Sequence, residues 1–188
     1  MGATTSATTT ATTTLLTVQE FIDLPETEGL LEELIEGEVV SMPVSGQPHE
    51  VPKSNVIRLV TVWSLQNPGL LLFCEAAYQL DDRNCLIPDV SLIAESRIVP
   101  GSKGVFQRAP ELAIEVVSSE SAARLERKIR LYLAHGAKSV WTIYPQERMV
   151  RIDGAAGGSK RFYDDEPLLD PNVLPGFSVL TSAIFKGV

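Results

Sequence analysis

A chain of 188 residues that is 44% apolar and carries a formal net charge of −8 suits one domain with a sizeable core. That acidity argues against a tight, nonspecific nucleic-acid binder, because phosphate contacts dominate such affinity. Residues 1–96 hold three Lys/Arg against fourteen Asp/Glu, and residues 97–188 thirteen against ten, so any DNA-facing surface is expected on the C-terminal half, around Arg124, Arg127, Lys128 and Arg130. A solvated helix face is the alternative reading of the same residues. Cys74 and Cys85 make no disulfide framework and have no metal-ligand spacing with a histidine, so buried free thiols in a reducing cytoplasm are expected. The N-terminus has neither a basic region nor an apolar core, so no signal peptide is expected, and no apolar run is long enough to span a bilayer.

In chain order, residues 1–16 form a Thr/Ala-rich stretch read as a disordered tail, ahead of a single domain over 17–188. Thr17-Val18-Gln19-Glu20 has the form of a capping box opening a short helix through about Leu24. Leu31–Met42 reads as a hairpin with Glu36-Gly37 at its turn, a short helix over Leu31–Ile35 being the competing reading. A helix is expected from about Glu50 to Gln66, with Pro52 in its first turn and a stripe of Val56, Leu59, Val60 and Trp63. Leu70–Leu80 reads as a strand, Asp81–Asn84 as a turn, and Leu86–Ala94 as a second strand. Residues 95–110 read as a loop long enough to suggest mobility or a partner. Glu111–Val117 is the next strand, followed by a helix that Gly136 terminates. Lys138–Tyr144 and Glu147–Ile152 read as strands joined by a tight turn, and Lys160–Tyr163 as the last. The architecture expected is α/β (α+β), a central mixed sheet flanked by helices with an N-terminal hairpin extension.

Two of these apolar strands each carry an acid where an inner strand should carry none. An ionised carboxylate is costly to bury unless it is paired, hydrogen-bonded or bound to a cation. Alternation puts Asp89 on a face with Ile87, Ser91 and Ile93, and Glu115 on a face with Glu111, Ala113 and Val117. If the two strands pair, a small choice of register brings both acids within reach of one ion. In the following helix Leu125, Ile129, Tyr132 and Leu133 form one stripe, and Lys128 falls roughly 40° from Tyr132, bordering it. A Mg²⁺ ion needs only one or two carboxylates besides water and phosphate. A structural ion pair between Lys128 and Glu115 explains the same residues without a metal.

The run E-L-I-E-G-E-V-V-S-M-P, His49, I-P-D-V-S-L-I, A-P-E-L-A-I-E-V-V-S, K-I-R-L-Y-L-A-H-G-A-K-S-V-W and L-P-G-F, in that order from Val18 to Phe185, resembles the Uma-two family of restriction endonucleases. That family belongs to the PD-(D/E)XK nuclease superfamily, and the resemblance implies a restriction-endonuclease-like core. It implies that Asp89 and Glu115 bind Mg²⁺ (or Mn²⁺) and that a lysine assists the attacking water. The x-K position is Val117, and the family's lysine falls instead on Lys128 in the next helix. Where the family has S-P-S, this chain has Ser118-Ser119-Glu120-Ser121. Glu33 matches a characteristic acid of the family and is a further candidate ligand, although an acid among Glu32, Glu36 and Glu38 also reads as surface charge. His49 matches a family histidine that could meet a phosphate or order a water, and it also reads as a structural residue. His135 favours the helix dipole, and Tyr132, Trp63 and Trp141 read as core.

The function expected is a metal-dependent endonuclease acting on nucleic acid, with DNA as the substrate, Arg124 and Arg127 facing it, and homodimerisation open. The alternative is a catalytically inactive interaction or dimerisation module that kept the nuclease fold.

Overall fold

The computed structural model describes residues 15–25, 27–42, 45–102 and 104–188; of the tail expected over residues 1–16, residues 1–14 lie outside them. Thr17 closes the capping box on Glu20 and opens α1 (Val18–Ile22). Strands β1 (Leu31–Ile35) and β2 (Glu38–Met42) form the expected hairpin. Both turn residues have positive φ, 52° at Glu36 and 84° at Gly37, as a two-residue turn of this hand requires. A Cβ on Gly37 would lie 2.9 Å from the Leu15 Cβ, and the Leu16 N–H donates to the Gly37 carbonyl. The chain just before α1 is therefore part of the packed domain and not of a tail.

Helix α2 runs Gln47–Ser64, three residues earlier than the sequence suggested, with Pro48 in its first turn. Pro52 falls in the second turn, where it cannot donate to the Pro48 carbonyl. Then come β3 (Leu70–Cys74), β4 (Tyr78–Asp81), β5 (Asn84–Leu86), β6 (Val90–Ala94), β7 (Phe106–Gln107) and β8 (Leu112–Val116). Helix α3 (Ala122–Ala134) precedes β9 (Ser139–Tyr144), β10 (Met149–Gly154), β11 (Ser159–Tyr163), β12 (Pro167–Leu168) and β13 (Val179–Leu180).

Three expectations need correction. Leu70–Leu80 is two strands in two different sheets, broken at Glu75, whose φ is 52°. Leu86–Ala94 breaks likewise over residues 87–89, where Pro88 has no N–H for a ladder. The loop over 95–110 is tied down, because the Arg97 guanidinium donates to the carbonyls of Gln107, Arg108 and Ala109 and to Glu111.

The main sheet has the order β11-β10-β9-β8-β6-β3, antiparallel throughout except for the parallel pair β8–β9 that α3 connects. A five-stranded sheet has the order β2-β1-β5-β4-β7. Because both faces of the main sheet are covered, β8 is buried along its whole length. Val56 and Val60 of α2, with Leu174, Phe177 and Phe185, pack on one face against Leu92, Ile114 and Trp141. Leu125, Ile129 and Tyr132 of α3, with Tyr78 and Leu86 of the second sheet, pack on the other against Ile93, Ala113 and Val140. Gly136, at φ 110°, ends α3. The helices thus lie on opposite faces, and the ends of both approach one corner of the main sheet.

Cys85 is buried as expected, but Cys74 is exposed, since β3 is an edge strand. Burial pushes the Cys85 thiol up to about 11. One equivalent of a thiol reagent is expected to label the native protein at Cys74, and the second only after denaturation. Two equally fast thiols by mass spectrometry would contradict this packing.

Candidate active site

The β6–β8 register pairs Val90 with Ile114. Continuing it one step sets Asp89 opposite Glu115, and residues opposite one another in an antiparallel pair share a face. Here the ladder gives way to a side chain: Asp89 Oδ2 accepts the Val116 N–H at 2.7 Å. From the first turns of α2, His49 Nε2 lies 3.1 Å from Asp89 Oδ1, and its Nδ1 lies 3.0 Å from Glu50 Oε1. Lys53, one helical turn on, places Nζ 4.0 Å from Asp89 Oδ1 and in contact with Glu75. Burial works to raise the Asp89 carboxyl, but His49, the Val116 N–H and Lys128 outweigh it and hold the group below the usual carboxylate range. His49 is raised in turn, Asp89 and Glu50 together outweighing its burial.

Glu115 is 4% exposed and takes two donors on one oxygen, the Tyr132 hydroxyl at 2.8 Å and Lys128 Nζ at 2.9 Å. Lys128 is 1% exposed and also lies 3.0 Å from Glu33 Oε1, which accepts the Ile87 N–H at 2.7 Å. Glu33 is 0% exposed, and its Oε2 has no hydrogen-bond partner among the described residues. Two carboxylates therefore share one buried ammonium. Burial pushes the Glu115 carboxyl up to about 8; Lys128 opposes the push, while Glu33 and Asp89 add to it. Lys128 is held protonated, since Glu115 and Glu33 outweigh its desolvation. Glu120, at the start of α3, is raised by burial and by the same acids, with Lys128 opposing.

Asp89, Glu115 and Lys128 are thus brought to one corner of the sheet, although Lys128 is enclosed and does not merely border the core. Glu33 is not surface charge, because β1 lays it under α3. His49 holds Asp89. Arg124 is exposed in the first turn of α3, and Arg127 is paired with Glu36 at 3.1 Å; neither bonds to the cluster. The sequence reading missed Lys53 and Glu75, and it read Tyr132 as packing alone. Spacing offered a signal for Lys53, four residues after His49 on one helix face. The Glu115 carboxylate, needing donors in an apolar strand, was the signal for Tyr132.

Among the described residues no three His, Cys, Asp or Glu side chains are grouped to hold a metal ion. Asp89 and Glu115 would suit a Mg²⁺ that keeps most of its water, since such an ion needs only one or two carboxylates, and beside them one Glu33 oxygen has no partner among the described residues. A cavity of about 480 Å³ opens next to this corner, lined by His49, Ser118, Ser119, Glu120 and Tyr144. That cavity meets the cluster at His49 and Glu120 and is not lined by Asp89, Glu115 or Lys128, while one of about 610 Å³ between β10–β11 and the C-terminal segment includes none of these residues.

A mixed sheet between two helices, with acids level across its inner antiparallel pair, defines a domain of the restriction-endonuclease-like class. Residues 18–183 match the Uma2 family, described as "putative restriction endonuclease", and the chain belongs to that family. A crystal structure from Anabaena variabilis, described as "a putative nuclease belonging to DUF820", is similar at a TM-score of 0.81 and 25% identity, covering 91% of this chain and 98% of that one. No curated protein matches the chain.

The Lys128→Met variant leaves Glu115 buried without the cation that opposes its raised pKa. It should lose about 3–5 kcal/mol at neutral pH, the scale of a broken buried pair. With the folded pKa above the unfolded value of 4.5, ionisation favours the unfolded chain as pH rises. The folded wild type keeps Glu115 protonated up to about pH 8, so the deficit should be level from pH 5 to 7 and grow above pH 8, where only the wild type has an ammonium to take the ionised carboxylate. Urea unfolding across that range checks it; a deficit independent of pH would show that lost packing, not charge, is the cause.

Proposed function

We propose that this protein is a divalent-metal-dependent endonuclease that hydrolyses phosphodiester bonds of nucleic acid, with DNA as its substrate. The observation that carries the reading is the placement of Asp89 and Glu115 at one level of a buried strand pair, with Lys128 hydrogen-bonded to Glu115. Asp89 and Glu115 would hold Mg²⁺ or Mn²⁺, with Glu33 the reserve ligand. The ion's contribution when bound is to polarise the scissile phosphate and to lower the pKa of a coordinated water.

The chain's own groups do the rest. Val116 N–H and His49 fix the Asp89 carboxylate in place, and Tyr132 fixes that of Glu115. The Lys128 ammonium has three donors, two of which Glu33 and Glu115 take; the third is left to orient the attacking water or to offset charge growing on the phosphate. Its charge also favours the ionised form of Glu115, the form a metal requires. No serine or cysteine is called on as a nucleophile. The exposed thiol of Cys74 supports a reducing compartment, the cytoplasm. No helix among the described residues is long and apolar enough to cross a membrane. A second copy of the chain, if it binds, would find an uncharged sheet edge at β3, where Leu71 is exposed.

The rival reading, an inactive interaction module, is favoured by one observation: His49 and Val116 N–H already satisfy Asp89 without a metal. Mn²⁺ calorimetry and cleavage of duplex, single-stranded and branched DNA separate the two. Asp89→Ala and Glu115→Gln should each lower Mg²⁺-dependent cleavage by at least about a hundredfold, beyond what loss of an outer-sphere partner costs. Variants that bind Mn²⁺ and cleave as the wild type does would remove the enzyme reading for this site.

A further inference from the structure

Lys53 has no part in the chemistry above, yet it is one of the few lysines the fold encloses. Its side chain is 9% exposed, and three carboxylates surround the ammonium: Glu75 in contact, Glu50 at 3.7 Å and Asp89 at 4.0 Å. Asp89 is already satisfied by His49 and the Val116 N–H, so it does not need Lys53. Of the three, Glu50 and Glu75 are the ones open to solvent, with side chains 50% and 49% exposed against 16% for Asp89.

Glu75 reaches that position by an unusual backbone. It occupies the left-handed region at φ 52°, which costs a non-glycine residue of order 1 kcal/mol. Its N–H donates to the Asp89 carbonyl at 3.3 Å. The residue that breaks the chain between the two sheets is thereby tied to the backbone of the proposed metal ligand, with its carboxylate over Lys53. Glycine or asparagine would make this break at lower cost, so its side chain is what the position retains.

We infer that Lys53 is a substrate-binding residue that takes a non-bridging phosphate oxygen of the nucleic acid, and that Glu75 occupies its place in the free protein. This rests on the nuclease reading. A lysine 4.0 Å from Asp89 Oδ1 is too far to be hydrogen-bonded to it, and close enough to meet a phosphate bound beside it. The exchange is balanced in charge: a phosphodiester carries one negative charge, as the departing carboxylate does. Glu75, half exposed, needs only to turn into water. Lys128 cannot do the same, since both of its acids are enclosed.

The test uses the full chain, a fluorescent duplex oligonucleotide read by anisotropy, and Mn²⁺ calorimetry in parallel. Lys53→Met should bind Mn²⁺ at least as tightly as the wild type, a positive charge near Asp89 having been removed. It should bind the oligonucleotide about tenfold more weakly, the scale of one charge-assisted contact, with a salt dependence lower by about one phosphate contact. Glu75→Ala alters an exposed side chain and should bind the oligonucleotide more tightly than the wild type does. If both variants bind the oligonucleotide as the wild type does, while Mn²⁺ binding and cleavage persist, the Lys53 inference is overturned and the nuclease reading stands. If wild type and Asp89→Ala are alike in failing to bind Mn²⁺ or to cleave, both fall.

Discussion

The Lys128 ammonium, enclosed between Glu33 and Glu115, is the interaction on which the rest of the molecule depends. It joins three elements, β1 of the small sheet, β8 of the main sheet and α3 between them, and the Tyr132 hydroxyl adds a second bond from α3 to β8. The Ile87 N–H, next to Pro88-Asp89, ends on the same Glu33 carboxylate. One charge thus fixes where the small sheet and α3 sit on the main sheet, and with them where Asp89 and Glu115 lie. As a stabilising device this is inefficient, because an apolar trio of similar volume commonly serves a fold as well or better. Burying a second carboxylate on one ammonium adds cost.

The parts legible in the sequence were those set by local chemistry. The Glu36-Gly37 turn, the Thr17 capping box, the α3 stripe and Gly136 at its end could all be read without knowing the neighbours. What could not be read was where the chain leaves one sheet for another. From Leu70 to Leu80 the apolar pattern continues across Glu75, and nothing local shows that the two halves pair with different partners. The same holds over Leu86–Ala94, although Pro88 was a usable sign of a break. Glu33 sits in a run of acids, so composition pointed to the surface. Its place beside buried Leu34 and Ile35 pointed inward, and only the small sheet lying over α3 decides between them. Lys128 was placed at the border of the buried face for the same reason: the flank that β1 covers is invisible in the helix's own sequence.

Asp89 illustrates how a short motif obtains its geometry. Proline at 88 contributes no N–H, so the chain leaves the ladder of β5 and changes sheets before β6 begins. The next side chain is then free to act as a surrogate carbonyl for Val116. That bond draws the carboxylate in towards β8, level with Glu115, while His49 and Lys53 approach it from α2. The corner is therefore reached from both faces of the sheet, by α2 through Asp89 and by α3 through Glu115.

Charge counted along the chain overstates the positive surface open to a polyanion. Arg127 is paired with Glu36, Arg97 with Glu111, Arg148 with Asp164, and Arg151 with Glu126 and Asp153. Arg58, Arg83, Arg108, Arg124, Arg130, Lys138, Lys160, Arg161 and Lys186 make no ion pair among the described residues, and they are scattered along the chain from α2 to the C-terminal segment. With net charge −8, cations dispersed in this way supply no strong nonspecific attraction to phosphate. On the proposed reading, attraction for a nucleic acid would be generated at the corner itself, by cations brought to Asp89 and Glu115 or uncovered there. An acidic protein built in this way would hold nucleic acid weakly until its acids are neutralised. The acids that make it a poor polyanion binder are the ones that would recruit the ion.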